Sequence, residues 1–194
     1  MKKKKTFYVL AVLGVIMCMC IALVVFGHRA ERTQGTDIPK LSTMNALDFI
    51  DLLTGGLGMA TNPSGSMEDA ILAGDTIWFD KRAYINKKPE RFDVIMFKYP
   101  DNEAYYFVKR IIGMPGETIE VIDGQVYINN EFLEEPFAKE DTGPLNNFEA
   151  YEIEENSYFV MGDNRSVSSD SRLWINKTVP VKNIKGKVVF ILDR

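Results

Sequence analysis

The stretch Tyr105-Tyr-Phe-Val-Lys109-Arg-Ile-Ile-Gly-Met-Pro-Gly-Glu117 places a lysine in the middle of an otherwise apolar run. If residues 105–112 are extended, Lys109 and Arg110 lie on opposite faces of the strand, each among aromatic or aliphatic neighbours. Neither face is expected to be open to solvent. An unpaired ammonium is costly to bury, and the usual result is a lowered pKa that leaves the amine neutral near the working pH. A neutral lysine can act as a base.

This segment alone also permits a non-catalytic interpretation. The aliphatic stem of Lys109 would lie on the neighbouring aromatic rings while its ammonium stays in water, which is the commoner arrangement for a lysine beside apolar side chains. The choice between the two depends on whether the rest of the chain supplies a group that a neutral amine could activate.

Short apolar runs separated by Gly, Pro and Asp predict that the body of the chain is mainly β. Asp123-Gly124, between two such runs, is a strong hairpin signal. Because the strands do not alternate with helical patterns, we expect a compact antiparallel β-barrel or sandwich. The predicted strands are residues 76–80, 92–99, 105–112, 118–122, 125–128, 158–161 and 188–192.

The amino-terminal residues predict a membrane anchor. Residues 6–26 carry no charge, and as a helix they would be about 31 Å long, which matches the hydrocarbon core of a bilayer. This run exceeds the usual core of a cleaved signal peptide, and no clear small-x-small cleavage site follows it. The lysines in residues 1–5 predict a cytoplasmic tail, a single membrane span and a body outside the cytoplasm.

The rest of the chain divides into a connector and one domain. Residues 27–54 combine a polar tether with a short amphipathic helix over 41–53, and Gly55-Gly-Leu-Gly58 is expected to end that helix. Residues 55–194 form the extracytoplasmic β-domain. Within it, the acidic segment 131–149 contains Pro and Gly and is expected to be a long surface excursion without chemistry.

Composition excludes several classes of protein. Besides the four amino-terminal lysines, the chain carries 19 basic and 27 acidic side chains, a balance that does not suggest nucleic-acid binding. Both cysteines lie in the first apolar run, and His28 is the only histidine. Zinc sites built on Cys and His and Cys-His proteases are therefore excluded, and a Ser-His-Asp triad would need His28 to fold back from the membrane edge.

Two polar loops contain hydroxyl groups that a neutral Lys109 could activate. Asn62-Pro-Ser-Gly-Ser-Met67 presents hydroxyls at Ser64 and Ser66, and the loop 162–172 is dense in hydroxyl, carboxylate and guanidinium groups. Each loop by itself is typical of a surface turn. Together with Lys109, they combine an exposed serine, a lysine in apolar surroundings and a polar loop able to orient it.

These three segments, in this order, resemble the signature regions of bacterial type I signal peptidases. The matching stretches are Ser64-Gly-Ser66-Met67, Lys109-Arg110-Ile-Ile-Gly113-Met-Pro115-Gly116-Glu117, and Gly162-Asp-Asn-Arg165 with Ser168-Ser-Asp170-Ser-Arg172. The resemblance runs from the anchor to Arg194, and the short chain is similar to the compact Gram-positive form. It implies a serine endopeptidase that uses no metal and no cofactor.

The resemblance also implies a role for each matched residue. Ser66 would be the nucleophile, Lys109 the general base and Ser64 the oxyanion-hole hydroxyl. The implied supporting residues are Ser168, which would hold the Lys109 amine, and Asp163, Asp170 and Arg172, which would brace the loop. Arg110 resembles a structural residue.

The chemistry of these residue types agrees with the resemblance. A serine hydroxyl is a poor nucleophile until a base takes its proton, and without an available histidine a desolvated lysine is the remaining candidate. Ser-Lys pairs are a known variant of the triad. The sequence contains no Ser-x-x-Lys spacing, which weighs against a penicillin-binding or β-lactamase site.

One departure from the family's pattern follows Met67. The family continues, after one residue, with Pro-Thr, whereas this chain has Glu68-Asp69-Ala70. The fixed turn is therefore expected to be lost, and a carboxylate close to Lys109 would raise the pKa of its amine. We expect reduced activity at neutral pH and a shift of the activity to higher pH.

The main hypothesis is an anchored peptidase that removes signal peptides from exported preproteins on the outer side of the cytoplasmic membrane. Its expected partners are those preproteins and the lipid bilayer. By resemblance, the site accepts small residues such as alanine at the first and third positions before the cut. Two alternatives stay open: a specialised peptidase with few substrates, and a non-catalytic relative in pilus or surface-protein assembly.

Overall fold

The computed structural model of the protein describes residues 56–68, 70–139 and 147–192. The predicted anchor at 6–26 and the predicted connector at 27–54 lie outside these ranges. The division of the chain into tail, anchor, connector and β-domain therefore stays a prediction. Across the three described ranges, no helix is both long and apolar enough to cross a membrane.

The described residues are mainly β-strand, as predicted, with one short 3₁₀ helix at Val181–Asn183. All seven predicted strands are present, three of them with the predicted bounds. The strands are β1 (Leu57–Thr61), β2 (Thr76–Asp80), β3 (Val94–Lys98), β4 (Tyr106–Gly113), β5 (Thr118–Ile122), β6 (Gln125–Ile128), β7 (Glu131–Phe132), β8 (Phe148–Glu152), β9 (Ser157–Met161), β10 (Val179–Pro180) and β11 (Ile184–Leu192).

These strands form two antiparallel sheets. The larger has the order β1-β2-β11-β3-β4-β9-β10, and the smaller has the order β7-β6-β5-β8. The long strand β11 pairs with β3 through its first half and with β2 through its second half, and each pairing contains a register shift. Within the described part of the chain the outer strands β1 and β10 do not pair with each other. Among the described residues the large sheet is therefore open at β1 and β10, and the predicted antiparallel barrel or sandwich is confirmed as a mainly β fold of antiparallel sheets.

Apolar side chains cover both faces of the large sheet around β3. Val94 and Met96 belong to one buried cluster, whereas Ile95 and Phe97, which point to the opposite face, belong to another. The sequence of a strand that is buried on both faces is a continuous run of apolar residues and does not alternate between apolar and polar residues. The neighbouring strand β4, which pairs with β3 along its first five residues, therefore enters an interior and not a half-solvated surface.

The small sheet packs against the large one through a third cluster. Val121 of β5 is buried in this cluster together with Phe159 and Met161 of β9. The predicted hairpin is confirmed, because β5 pairs with β6 around a turn in which Asp123 and Gly124 have φ values of 50° and 82°. Two positive φ values are typical of the tight hairpin turn that Asp-Gly favours.

Two stretches of the β-domain contain strands that the sequence did not predict. Gly58 lies in β1, where a Cβ would come within 2.2 Å of the Phe79 ring, and the helix predicted over 41–53 lies outside the described residues. The segment 131–149 is not only an excursion, since it contributes β7 and the start of β8. Phe148 and Tyr151 of β8 pack against the third cluster while the intervening residues are exposed. The strand therefore had too few apolar residues to be recognised.

Candidate active site

Lys109 lies in the buried part of β4. Residues 108–113 are buried, whereas Tyr105 and Tyr106 are exposed, so the expectation that neither face is open to solvent fails only at the start of the stretch. Lys109 itself is 4% exposed. An amine kept in water is incompatible with this burial, and the interpretation of Lys109 as a lysine with only its stem covered was wrong.

The amine of Lys109 contacts the hydroxyl of Ser66. Lys109 Nζ lies 2.7 Å from Ser66 Oγ and 3.1 Å from the carbonyl oxygen of Val108. Ser66 is 6% exposed, and the ring of Phe107 lies 5.6 Å from Nζ. The fold therefore brings together, in a buried setting, the serine and the lysine that the sequence singled out from positions 43 residues apart, and Ser66 is not the exposed serine that was expected.

Burial lowers the pKa of the Lys109 amine from 10.5 to about 8, because apolar surroundings disfavour the charged form. The carboxylates of Asp170 and Asp163 act in the opposite direction and limit the fall of this pKa. With a pKa of about 8, about one amine in ten is neutral at pH 7 and about half are neutral at pH 8. A free lone pair is thus available close to physiological pH.

Ser64 lies beside Ser66, and two asparagines fix the loop that carries both. The hydroxyl oxygens of Ser64 and Ser66 are 3.1 Å apart, and either can donate. The Asn62 side chain donates to the carbonyl of Ser64 at 2.8 Å. Asn164 donates from its backbone N–H to the carbonyl of Ser66 at 3.1 Å and from its side chain to the carbonyl of Gly65 at 3.2 Å. Neither asparagine was assigned a role from the sequence, because Asn in a turn is common without any such contact.

Two buried ion pairs lie in and beside the loop 162–172. Asp163 accepts two hydrogen bonds from Arg110, at 2.9 and 2.7 Å, and both side chains are 1% exposed. Asp170 accepts two from the guanidinium of Arg172, at 2.9 and 3.0 Å. The three residues expected to brace the loop are therefore buried in ion pairs, one of them with Arg110.

Gly162 brings this loop into contact with the nucleophile candidate. A Cβ on Gly162 would lie 2.4 Å from the Ser66 carbonyl oxygen and 2.3 Å from Ser168 Oγ, so a side chain does not fit here. The hydroxyl of Ser168 is buried and has no hydrogen-bond partner in the described part of the chain. The expected hydrogen bond between Ser168 and Lys109 is not formed, and a supporting role for Ser168 stays a prediction.

The departure from Pro-Thr at residues 68–70 does not remove the turn, contrary to expectation. The N–H of Glu68 donates to the carbonyl of Gly65 at 3.2 Å, and the N–H of Ile71 donates to the carbonyl of Met67 at 2.8 Å. Met67 and Ile71 are also paired in an isolated antiparallel bridge. Backbone hydrogen bonds therefore hold the chain where proline would have restricted it.

The carboxylates that raise the pKa of Lys109 come from another segment than expected. They belong to Asp170 and Asp163, and Glu68 is not among the groups that shift this pKa. Asp69 lies outside the described residues. The loop 162–172 therefore supplies the negative charges near the amine.

Comparison with known proteins identifies the family. The family model described as signal peptidase, peptidase S26, matches residues 52–192. The chain belongs to the S26 signal peptidase family. The matched region contains Ser66, Lys109 and the loop 162–172, so the resemblance noted in the sequence is confirmed.

Individual S26 relatives are about a third identical to the chain over the aligned residues. Signal peptidase I from Pseudomonas aeruginosa is 30% identical, over 65% of this chain and 58% of the relative. Signal peptidase I V from Bacillus subtilis is 34% identical, over 63% of this chain and 78% of the relative. A crystal structure of a signal peptidase I from Enterococcus faecalis V583 is 34% identical, covers 52% of this chain and 97% of its own, and has a TM-score of 0.44. The chain thus spans little more than half the length of the Pseudomonas relative.

Proposed function

We propose that this protein is a membrane-anchored serine endopeptidase that removes signal peptides from exported preproteins, with Ser66 as the nucleophile and a neutral Lys109 as the general base. The observation that carries the proposal is the 2.7 Å contact between Lys109 Nζ and Ser66 Oγ in a buried setting. A general base has to lie within hydrogen-bond reach of the proton that it removes, with a pKa near the working pH. Lys109 meets both conditions.

Acylation begins when the neutral amine of Lys109 takes the hydroxyl proton of Ser66. The Ser66 oxygen then forms a bond to the scissile carbonyl carbon, and the carbonyl oxygen becomes an oxyanion. The ammonium of Lys109 gives its proton to the departing amine as the peptide bond breaks, which leaves the signal peptide as an ester on Ser66. A water molecule deprotonated by Lys109 hydrolyses the ester and restores the free hydroxyl.

Ser64 supplies the side-chain donor for the oxyanion. In the resting structure its hydroxyl is 3.1 Å from Ser66 Oγ, and a rotation about its Cα–Cβ bond would direct the proton to the substrate oxygen beside the backbone N–H of Ser66. Removal of one such donor costs about 10² to 10³ in kcat. Ser64→Ala is therefore expected to reduce kcat by that factor.

The proposed site of action is the outer surface of the cytoplasmic membrane. Residues 6–26 would form the single span, with the lysines of residues 1–5 in the cytoplasm and residues 55–194 outside. A domain tethered in this way meets cleavage sites that emerge just beyond a membrane-inserted signal peptide. Single-pass topology is tested by labelling cysteines placed in residues 1–5 and in the β-domain with a membrane-impermeant reagent on intact cells.

The non-catalytic alternative is the weaker of the two functions. A binding platform would have no reason to keep a buried lysine in contact with a serine, since burial of the amine is unfavourable to folding. A restricted substrate range remains compatible with the same site, and residues 68–70, which differ from the family pattern, lie directly after Met67.

The test is cleavage of a preprotein whose signal peptide ends in Ala-x-Ala by the intact chain in detergent and lipid. Ser66→Ala and Lys109→Met are assayed beside it, and the new amino terminus of the product is sequenced. Cleavage after the second alanine by the unaltered chain, and by neither variant, would establish the proposed function. If the unaltered chain is folded and inactive between pH 6 and 10 on several preproteins, the proposal is wrong.

A further inference from the structure

Five residues of the acidic segment, Glu135–Lys139, run across the loop 162–172, contact it at two points and also contact Arg110 of β4. The Glu135 carboxylate pairs with the Arg165 guanidinium, the N–H of Lys139 donates to the carbonyl of Asp163 at 2.9 Å, and the ring of Phe137 lies 4.0 Å from Cζ of Arg110. From the sequence, this segment was expected to have no chemical role.

The ion pair between Glu135 and Arg165 is the most buried of these contacts. Two hydrogen bonds of 2.8 and 2.6 Å join the two planar groups, and the side chains are 7% and 2% exposed. Planar, two-point pairing of this kind fixes the orientation of a guanidinium as well as its position. Arg165 is therefore held in one orientation from outside its own loop.

Arg165, held in this orientation, in turn contacts the backbone of Gly162. Its Nε donates to the Gly162 carbonyl at 3.0 Å. Gly162 in turn lies so close to the Ser66 carbonyl and to Ser168 that it has no room for a side chain. The chain of contacts runs from Glu135 through Arg165 and Gly162 to Ser66, with no solvent-exposed link.

Glu135 also completes the charge balance around the loop. Among the described residues the buried guanidinium groups are those of Arg110, Arg165 and Arg172. Asp163 and Asp170 pair with the first and the third, and Glu135 pairs with Arg165. A buried charge that loses its partner is strongly unfavourable, so without Glu135 the guanidinium of Arg165 would tend to leave Gly162 and turn towards water.

We propose that Glu135 is a positioning residue of the Ser66–Lys109 site, which acts through Arg165 on Gly162 and so fixes the backbone of the nucleophile. The inference deepens the proposed function and rests on it. Misplacement of a reacting group by about 1 Å can cost about 10² in rate. Glu135→Gln is therefore expected to lower kcat by about ten- to a hundredfold and to leave KM within about twofold.

The control is a second arginine held in the same way elsewhere. Arg91 makes two hydrogen bonds to Glu117, at 3.0 and 2.5 Å, and one to the carbonyl of Ile112 at 2.6 Å. Arg91→Gln therefore breaks another two-point ion pair, whose side chains are 25% and 19% exposed and which does not reach the loop 162–172. Both variants are assayed as the full chain in detergent and lipid, and each kcat is divided by the folded fraction measured at the assay temperature.

A double-mutant cycle tests whether Glu135 acts through Arg165. If it does, Glu135→Gln combined with Arg165→Gln has the same kcat as Arg165→Gln alone, and Glu135→Asp recovers part of the activity of Glu135→Gln. The inference is overturned if Glu135→Gln keeps its kcat, raises only KM, is matched by Arg91→Gln, or adds fully to Arg165→Gln. Inactivity of the unaltered chain would instead contradict the proposed function itself.

Discussion

Lys109 and Arg110 are consecutive residues of β4, both almost fully buried and both cationic when protonated. Arg110 forms a two-point ion pair with Asp163, whereas the amine of Lys109 bonds only to the Ser66 hydroxyl and the Val108 carbonyl among the described residues. Alternation in the strand directs the two side chains to opposite faces. One cation has a carboxylate against it and the other has an uncharged hydroxyl.

This difference separates a structural cation from the proposed base. A guanidinium keeps its proton in any protein environment, and its carboxylate partner compensates the burial. The Lys109 ammonium has no such partner in contact, so burial lowers the pKa of the amine to about 8 and the neutral form becomes accessible. Similar burial in neighbouring positions thus produces opposite chemistry because the partners differ.

The largest expected effect comes from making Lys109 resemble Arg110. Lys109→Arg retains a cation that cannot give up its proton at any working pH, and Lys109→Met removes the proposed base. Both are expected to lower kcat/KM for preprotein cleavage by about three to four orders of magnitude, and a further Ser66→Ala change should add little. Lys98→Met, at a part-exposed lysine of β3, is the control. More than a tenth of the activity in Lys109→Arg would contradict a proton-transfer role.

The second prediction removes the carboxylate from Arg110. Asp163→Asn leaves a buried guanidinium without its counter-charge, and such changes typically cost about 3 to 5 kcal/mol of unfolding free energy. Glu103→Gln breaks the exposed pair with Lys98 and is expected to cost less than about 1 kcal/mol. Urea denaturation of both variants measures the contrast. Equal losses of stability would show that the Arg110–Asp163 pair contributes no more than a surface pair.

The third prediction concerns how the stability contributed by Lys109 depends on pH. Its folded pKa of about 8 lies below the unfolded value of 10.5, so the folded state bears the full cost of the buried charge below pH 8. Between pH 8 and 10.5 the unfolded state holds a proton that the folded state has released, and stability rises with pH.

Lys109→Met lacks this titration. Its unfolding free energy, relative to the unaltered chain, should therefore fall by on the order of 3 kcal/mol between pH 7 and pH 10.5. Urea denaturation of the two proteins at several pH values gives this difference directly, because all other titrating groups are shared. A difference that stays constant with pH would mean that the amine is not perturbed by burial.

The smallest effect is a shift in the pH dependence of cleavage. For the unaltered chain kcat/KM should rise about tenfold per pH unit below pH 8 and level off above it. Asp170→Asn removes a carboxylate that raises the pKa of Lys109, so the midpoint should move to lower pH. Glu152→Gln, at an exposed position of β8, should leave it unchanged. A midpoint at or below pH 7 in the unaltered chain would contradict an amine pKa of about 8.

Local features of the domain were predicted from the sequence because short-range physics decides them. Apolar runs predicted seven strands, and Asp123-Gly124 predicted a hairpin turn whose positive φ values few other residues adopt readily. Strand β8 was missed because only Phe148 and Tyr151 face the core. The chemistry of Lys109 and Ser66 was suggested by residue type and by resemblance to the signal peptidases.

The sequence by itself determined which groups are present: a serine pair on a turn, a lysine in an apolar strand and a charged loop. Only the tertiary structure decided which groups touch. It placed Lys109 against Ser66 across 43 residues, left Ser168 without the expected bond, and set Glu135 against Arg165 across 30 residues. Such contacts depend on burial and on the meeting of distant segments, and no local pattern encodes them. The charge state of Lys109 follows from that burial and not from its position in the strand.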